Sequence, residues 1–212
     1  VFSAIDQFGR YAYTNQPGIG AWNMAQFATA LIPLMPDRDA AIEDFTAAVH
    51  RMPVLYEAAW LREFGAKLGI ADPVEDDRAL ITDLLDLMTE DGADFTNTFA
   101  NLNSPQARDQ FIDRDGFDAW ADRWRLRYPA PELMAQANPQ VIPRNHRVEE
   151  VIVAGRNGDY APFHAFLAAA TRPNAPPPAF APAPRKDDQD TRALCGTWPR
   201  GALRSSATCI RS

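Results

Sequence analysis

Cysteine is almost missing from this chain of 212 residues: Cys195 and Cys209 are the whole supply, and both stand close to the C-terminus. No disulfide framework can therefore hold the preceding residues together, and a reducing compartment, a bacterial-type cytoplasm, is the simplest reading. Long apolar runs are missing too, since no stretch approaches the ~20 residues that a membrane-spanning helix needs. The opening Val1-Phe2-Ser3-Ala4 has neither an initiating Met nor the basic-then-apolar order of a signal segment, which points to a processed chain or a fragment. An excess of positive charge is also lacking. The 28 acidic and 21 basic residues give a net charge of -7, which repels phosphate backbones and leaves no basic belt for an anionic membrane. Nucleic acid and membrane are thus not expected as partners. Histidine is scarce, and His50, His146 and His164 show no metal-ligand spacing with one another or with cysteine.

What is present describes a soluble globular chain: 46% apolar and 23% charged residues, enough for one domain or one domain with a tail. The charge is unevenly spread. Residues 173–212 hold Arg185, Lys186, Arg192, Arg200, Arg204 and Arg211 against Asp187, Asp188 and Asp190, so the body carries about -10 and the tail about +3. The same tail holds Pro173, Pro176, Pro177, Pro178, Pro182 and Pro184, a composition that favours extended, irregular chain over a packed core.

Apolar spacing predicts a mostly α body. Residues 1–21, with Gly9, Pro17, Gly18 and Gly20, read as loop and extended chain, and residues 22–172 read as helical. A first helix is expected near Trp22, with Met24, Phe27, Ala28, Leu31 and Met35 as its apolar stripe. Asp37 or Asp39 caps a second, and Pro53 fits the first turn of a third that stops at Lys67 and Gly69. Leu80 to Met88 reads as a helix buried on all sides and ending before Gly92. Phe117, Trp120, Trp124 and Tyr128 line one face of a later helix, and two short helices follow near Val148–Ala154 and after Asp159. No strand run is apparent beyond residue 20.

Residues able to do chemistry are few. Asp6-Gln7-Phe8-Gly9 has the look of a kinase metal motif, but Gln7 breaks its spacing. Pro17-Gly18-Ile19-Gly20 lacks the lysine of a phosphate loop and reads as a turn. Asp72, Glu75, Asp76 and Asp77 read as a solvated connection. Asp94-Phe95-Thr96-Asn97-Thr98-Phe99 is dense in the short polar side chains that cap helices and pin loops. The run Arg144-Asn145-His146-Arg147 with Glu149 and Glu150 gathers cations, hydrogen-bonding groups and acids at a helix start. It serves either as a structural network, in which Arg144 or Arg147 meets buried carboxylates, or as a contact to ligand or substrate. On the structural reading, Arg147→Ala should cost about 1–3 kcal/mol. Cys195 is a thiol with redox potential by virtue of its place in the tail.

Several of these segments together carry a resemblance. Gly9-Arg10-Tyr11-Ala12-Tyr13, Asn15-Gln16-Pro17, Trp22-Asn23-Met24-Ala25, the Asp94–Phe99 segment, Asn138-Pro139, Ile142-Pro143-Arg144-Asn145-His146-Arg147-Val148-Glu149-Glu150, Gly158-Asp159 with Pro162-Phe163, and Cys195-Gly196-Thr197 occur in the order seen in the selenoprotein O family. The chain resembles that family from Val1 to Thr197, and Trp198–Ser212 matches nothing in it. The resemblance implies the helical C-lobe part of a protein-kinase-like fold with a helical extension and an irregular Pro-rich tail. It implies an adenylyltransferase that uses ATP and Mg and transfers AMP to Ser, Thr or Tyr hydroxyls of protein substrates. In the family the nucleotide-binding lysine and arginines, the catalytic Asp and the metal ligands precede the segment beginning at Val1. No residue here matches them, so no catalytic, cofactor-binding or metal residue is expected in this chain, and the chain alone should be inactive. Asp6 falls after the family's metal Asp, which removes the kinase-like reading of that segment. Cys195 matches the cysteine or selenocysteine near the family's end. Three classes of function stand side by side: part of an adenylyltransferase, a non-catalytic helical interaction module, and a redox-responsive thiol element.

Overall fold

The computed structural model describes residues 15–175, which divide into two units, residues 15–60 and residues 61–175. In the first, α1 (Gln16–Leu31) leads through a 3-10 turn (Ile32–Leu34) to α2 (Arg38–His50), and the first half of α3 (Met52–Lys67) completes it. Helix α1 begins six residues before Trp22, so the stretch 16–21 expected to be extended is helical, and Pro17-Gly18-Ile19-Gly20 is its first turn rather than a loop turn. Pro17 explains the early start, because a proline in the first turn has the right φ already and no N–H to satisfy there. The expected stripe is kept only in part: its Ala28 and Leu31 are, with Ala21 and Ala25, among the less accessible positions, whereas its Met24, Phe27 and Met35 are exposed, as is Trp22. Asp37 caps α2 as its type and place predict, its Oδ1 accepting from the N–H groups of Asp39 and Ala40 at 3.0 Å each.

The second unit contains the end of α3, then α4 (Asp77–Asp91), α5 (Phe95–Asn101), a 3-10 turn (Pro105–Gln110), α6 (Arg114–Arg125), α7 (Pro131–Ala137), α8 (Asn145–Arg156) and α9 (Ala161–Ala170). Among the described residues there is no strand. The core lies where α4 packs on α6, with Leu80, Ile81, Leu84, Leu85 and Met88 from the first and Phe117, Trp120, Ala121 and Trp124 from the second. Helix α4 is therefore buried along one stripe, not all round. Its Asp83, Asp86 and Glu90 occupy the other side, as an amphipathic surface helix requires. Tyr128, expected on the α6 stripe, lies beyond the helix end with φ +50° and is 88% exposed. Pro129 explains why the helix does not extend through Tyr128, since a proline pushes the residue before it out of the helical region.

Two tryptophans tie the layers together through their ring nitrogens. Trp120 Nε1 donates to the Leu80 carbonyl and Trp124 Nε1 to the Leu68 carbonyl, each at 2.8 Å, and the two indoles stack at 5.6 Å with planes 12° apart. Just past α3, Gly69 takes φ +77°, and the N–H groups of Gly69 and Ile70 close back on Ala66 and Gly65 at 3.0 and 2.8 Å. This is a Schellman ending, and only glycine suits it. A Cβ at Gly69 would come within 2.8 Å of the Ala130 backbone nitrogen, which itself donates to the Gly69 carbonyl at 2.9 Å. After α9 the chain is held again: the Pro173 carbonyl accepts from Gln140 N–H at 2.8 Å, and Asn174 Nδ2 donates to the carbonyls of Ala135 and Gln136 at 3.0 and 2.7 Å. The start of the Pro-rich segment is thus bound to the end of α7. Its remainder, residues 176–212 with Cys195, lies outside the described residues.

The two tryptophan bonds should not be equal. Leu80 lies inside α4, where its carbonyl also faces the helix ladder, whereas Leu68 follows the last residue of α3 and its carbonyl has no such alternative. Trp124→Phe is expected to cost about 1–3 kcal/mol from the orphaned carbonyl, besides the lost ring volume, and Trp120→Phe less. Chemical denaturation of the two variants against the parent checks the order.

Candidate functional site

Three of the segments singled out in the sequence, Asp94–Phe99, Asn138-Pro139 and Arg144–Glu150, meet in the second unit. Asp94 is the N-cap of α5, its Oδ1 accepting from Asn97 N–H at 2.7 Å. The same carboxylate receives both arms of Arg144, from Nη1 to Oδ2 at 2.8 Å and from Nη2 to Oδ1 at 2.9 Å. The side chains are 12% and 14% exposed, so little solvent competes for this two-pronged contact. Arg144 stands in the N-cap position of α8 with extended backbone, so its side chain joins the start of one helix to the start of another.

The second contact of the junction centres on Lys67, at the end of α3. Its Nζ lies 5.9 Å from the Phe95 ring centroid and 5.6 Å from that of Phe99, within cation–π reach of both. It also donates to the Ala137 carbonyl at 3.1 Å and to Asn138 Oδ1 at 3.4 Å. Asn138 answers with its other end, Nδ2 donating to the Lys67 carbonyl at 2.8 Å. Phe64, one turn back on α3, packs edge-on against Phe95 and Phe99. Burial pushes the Lys67 ammonium below its ordinary pKa of 10.5, and the nearby Glu63 carboxylate restores only part of the loss. Within α5, the Thr98 hydroxyl is fully buried and has no hydrogen-bond partner.

The remaining residues of the sequence cluster fall differently. Of the two arginines able to meet a buried carboxylate, Arg147 does not: it pairs with Glu150 at 2.9 Å on an exposed stretch of α8, three residues along the same helix. Arg144 holds the buried position because it precedes the helix and reaches back to α5. Asn145 and Glu149 are exposed on α8, and His146 is half-buried. His50 and His164 are exposed, at the end of α2 and on α9. The connection Asp72–Asp77 divides as well: Asp72, Glu75 and Asp76 face solvent, but Asp77 is 3% exposed. Its carboxylate takes Arg127 Nε at 2.7 Å and Arg127 Nη2 at 3.0 Å, and also accepts from Val74 N–H at 2.8 Å. That pairing and the Lys67 contact escaped the sequence reading because the partners are 50 and 71 residues apart and no local pattern links them.

Chemically the junction is built to hold helices in register. Asp94, Asn138, Arg144 and Lys67 each bond protein groups, and among the described residues no group of three or more His, Cys, Asp or Glu side chains is placed to hold a metal ion.

The segments that converge here lie within the part of the chain that known proteins match. The family profile described as "Protein adenylyltransferase SelO" matches residues 1–171. The chain is 52% identical over 202 residues to the protein nucleotidyltransferase YdiU of Roseobacter denitrificans, covering 93% of this chain and 43% of that protein. It is 50% identical over 182 residues to the YdiU of Ruegeria pomeroyi, covering 84% and 39% respectively. The YdiU of Geobacillus kaustophilus is 42% identical over 211 residues. The chain thus spans about two-fifths of the length of these curated relatives.

Arg144→Ala strands a largely buried carboxylate. Because Asp94 keeps its bond from Asn97, the expected cost is about 2–4 kcal/mol, and Arg147→Ala should stay within about 0.5 kcal/mol; urea titrations of both variants decide this. Lys67 supplies a pH test. Below its lowered pKa the folded state bears a desolvation cost that the unfolded state lacks, and that cost disappears as pH rises through the interval up to 10.5. Relative to Lys67→Met, the parent chain should therefore gain stability with rising pH across that interval, as read from melting curves.

Proposed function

This chain belongs to the SelO family, a family of enzymes, and we propose from that premise that it is the C-terminal helical part of a protein adenylyltransferase. On this reading the complete enzyme takes ATP with magnesium and transfers AMP to Ser, Thr or Tyr hydroxyls of other proteins in the cytoplasm. Its helices form the C-lobe of a kinase-like fold and the family's helical extension. The observation that carries the reading is the junction itself: the most idiosyncratic segments of the family resemblance meet there, and their polar groups bond one another. They act as framework. Arg144, Asn145, His146, Arg147 and Glu149 are accordingly assigned to holding and presenting α8, with the nucleotide contacts lying elsewhere in the enzyme.

In the family resemblance the nucleotide and metal residues precede Val1, so no step of the transfer is assigned to the described residues. Positioning and charge stabilisation carry most of nucleotidyl chemistry, so a polypeptide without those groups has little to accelerate. The alternative of a redox thiol element rests on Cys195, outside the described residues.

The chain alone is expected to show no melting shift with ATP and magnesium, whereas a ligand at 100 times its dissociation constant would add about 2.7 kcal/mol and be easily seen. Thermal denaturation with and without the nucleotide is the measurement. A clear shift would place a nucleotide site within these residues and defeat the reading.

A further inference from the structure

From Gln16 to Met35 the sequence has no Asp, Glu, Lys, Arg or His. Helix α1 packs on α2, and its less exposed positions, Ala21, Ala25, Ala28 and Leu31, recur at steps of three and four. The bulky side chains lie on the rest of the circumference, with Trp22 50%, Met24 46% and Phe27 57% exposed, and Leu34 of the following turn is 77% exposed. Asn23 and Gln26, the exposed polar groups between them, are neutral. Helices of the other unit turn charged groups such as Asp83, Asp86, Arg123 and Arg125 outward. A helix whose exposed arc is uncharged and studded with large apolar groups has the composition of a buried helix.

Two observations bear on what could cover it. The chain matches relatives over 93% of its own length but 43% of theirs, so most of a family-length polypeptide lies beyond it. Two copies of this chain would each bring a net charge of -7, which opposes self-association. We propose that the exposed arc of α1, with Leu34, is the seat of that part of a family-length polypeptide which this chain does not span, bound through apolar side chains and neutral hydrogen-bonding groups. This rests on the reading of the chain as part of an adenylyltransferase.

The test is co-expression of the 212-residue chain with the portion of the Roseobacter denitrificans relative that it does not match. A one-to-one complex is expected on gel filtration. Met24→Glu combined with Phe27→Glu should raise its dissociation constant at least about tenfold, while Leu126→Glu, an exposed position of the other unit, leaves it unchanged. A single fused polypeptide covers the case in which the added portion does not fold by itself. There the double substitution should lower the melting temperature by several degrees, yet shift that of the 212-residue chain alone by no more than about 1 °C, because both side chains are already exposed in it. Equal affinity for parent and double variant, equal melting shifts in the two settings, or a dimer of the 212-residue chain that the double substitution dissolves would each overturn the proposal. AMP transfer is measured separately. A complex that forms through this arc but transfers no AMP leaves the docking surface standing and removes the enzymatic reading.

Discussion

The ammonium of Lys67, sunk between two phenyl rings and two oxygens, obliges three helices of the second unit to keep one arrangement. An ammonium withdrawn from water must find other partners, and no one element near it supplies enough of them. The rings come from α5, the oxygens from the end of α7 and the residue after it, and Lys67 itself ends α3. Asn138 then bonds both the head and the backbone of the same lysine, which fixes where α7 stops. Six residues later Arg144 returns to α5 through Asp94. The result is a closed circuit: α3 to α7, α7 to α8, α8 to α5, and α5 back to α3. Removing any member leaves a polar group in a place where water cannot easily replace the loss.

Short helices make such a circuit necessary. Helices α5 and α7 have seven residues each, well below the length at which a helix holds itself in water. Their order has to come from neighbours. Arginine is the side chain that supplies it here, gripping a carboxylate with two nitrogens in Arg144–Asp94, Arg127–Asp77 and Arg108–Asp118. The last of these is exposed, and the hydrogen bonds from Arg108 hold the Asp118 carboxyl below the usual carboxylate range. The first two grips join elements whose partners lie 50 residues apart, the third joins the 3-10 turn to the helix that follows it, and the planar fork tolerates little rotation.

The helices legible in the sequence are those long enough to repeat their spacing. Leu80, Ile81, Leu84, Leu85 and Met88 mark α4, Asp37 marks the start of α2, and Gly69 and Gly92 mark ends, all by local chemistry that neighbours do not override. Helices α5 and α7 complete fewer than two repeats and left no apolar period to read. The inward side of α1 was read only in part, Ala28 and Leu31 but not Met24, Phe27 and Met35, because periodicity locates stripes of apolar residues without saying which stripe meets the partner. The site was half visible. Asp94 and Arg144 stood out by residue type, but their pairing spans 50 residues, and nothing local separates Arg144 from Arg147, whose nearest acids lie on its own helix. Those acids drew it into an exposed pair with Glu150.

The stacked Trp120 and Trp124 carry an optical consequence. Two indoles held 5.6 Å apart with planes 12° from parallel couple their electronic transitions, and each ring is locked by a bond from its nitrogen to a backbone carbonyl. The near-ultraviolet dichroism of the protein therefore carries a signature of that pair, set by the packing of α4, α6 and the end of α3. The far-ultraviolet signal counts helical residues wherever they occur. A state that keeps its helices but loosens their packing would separate the two signals, which makes the indole pair an internal gauge of tertiary order that needs no added label.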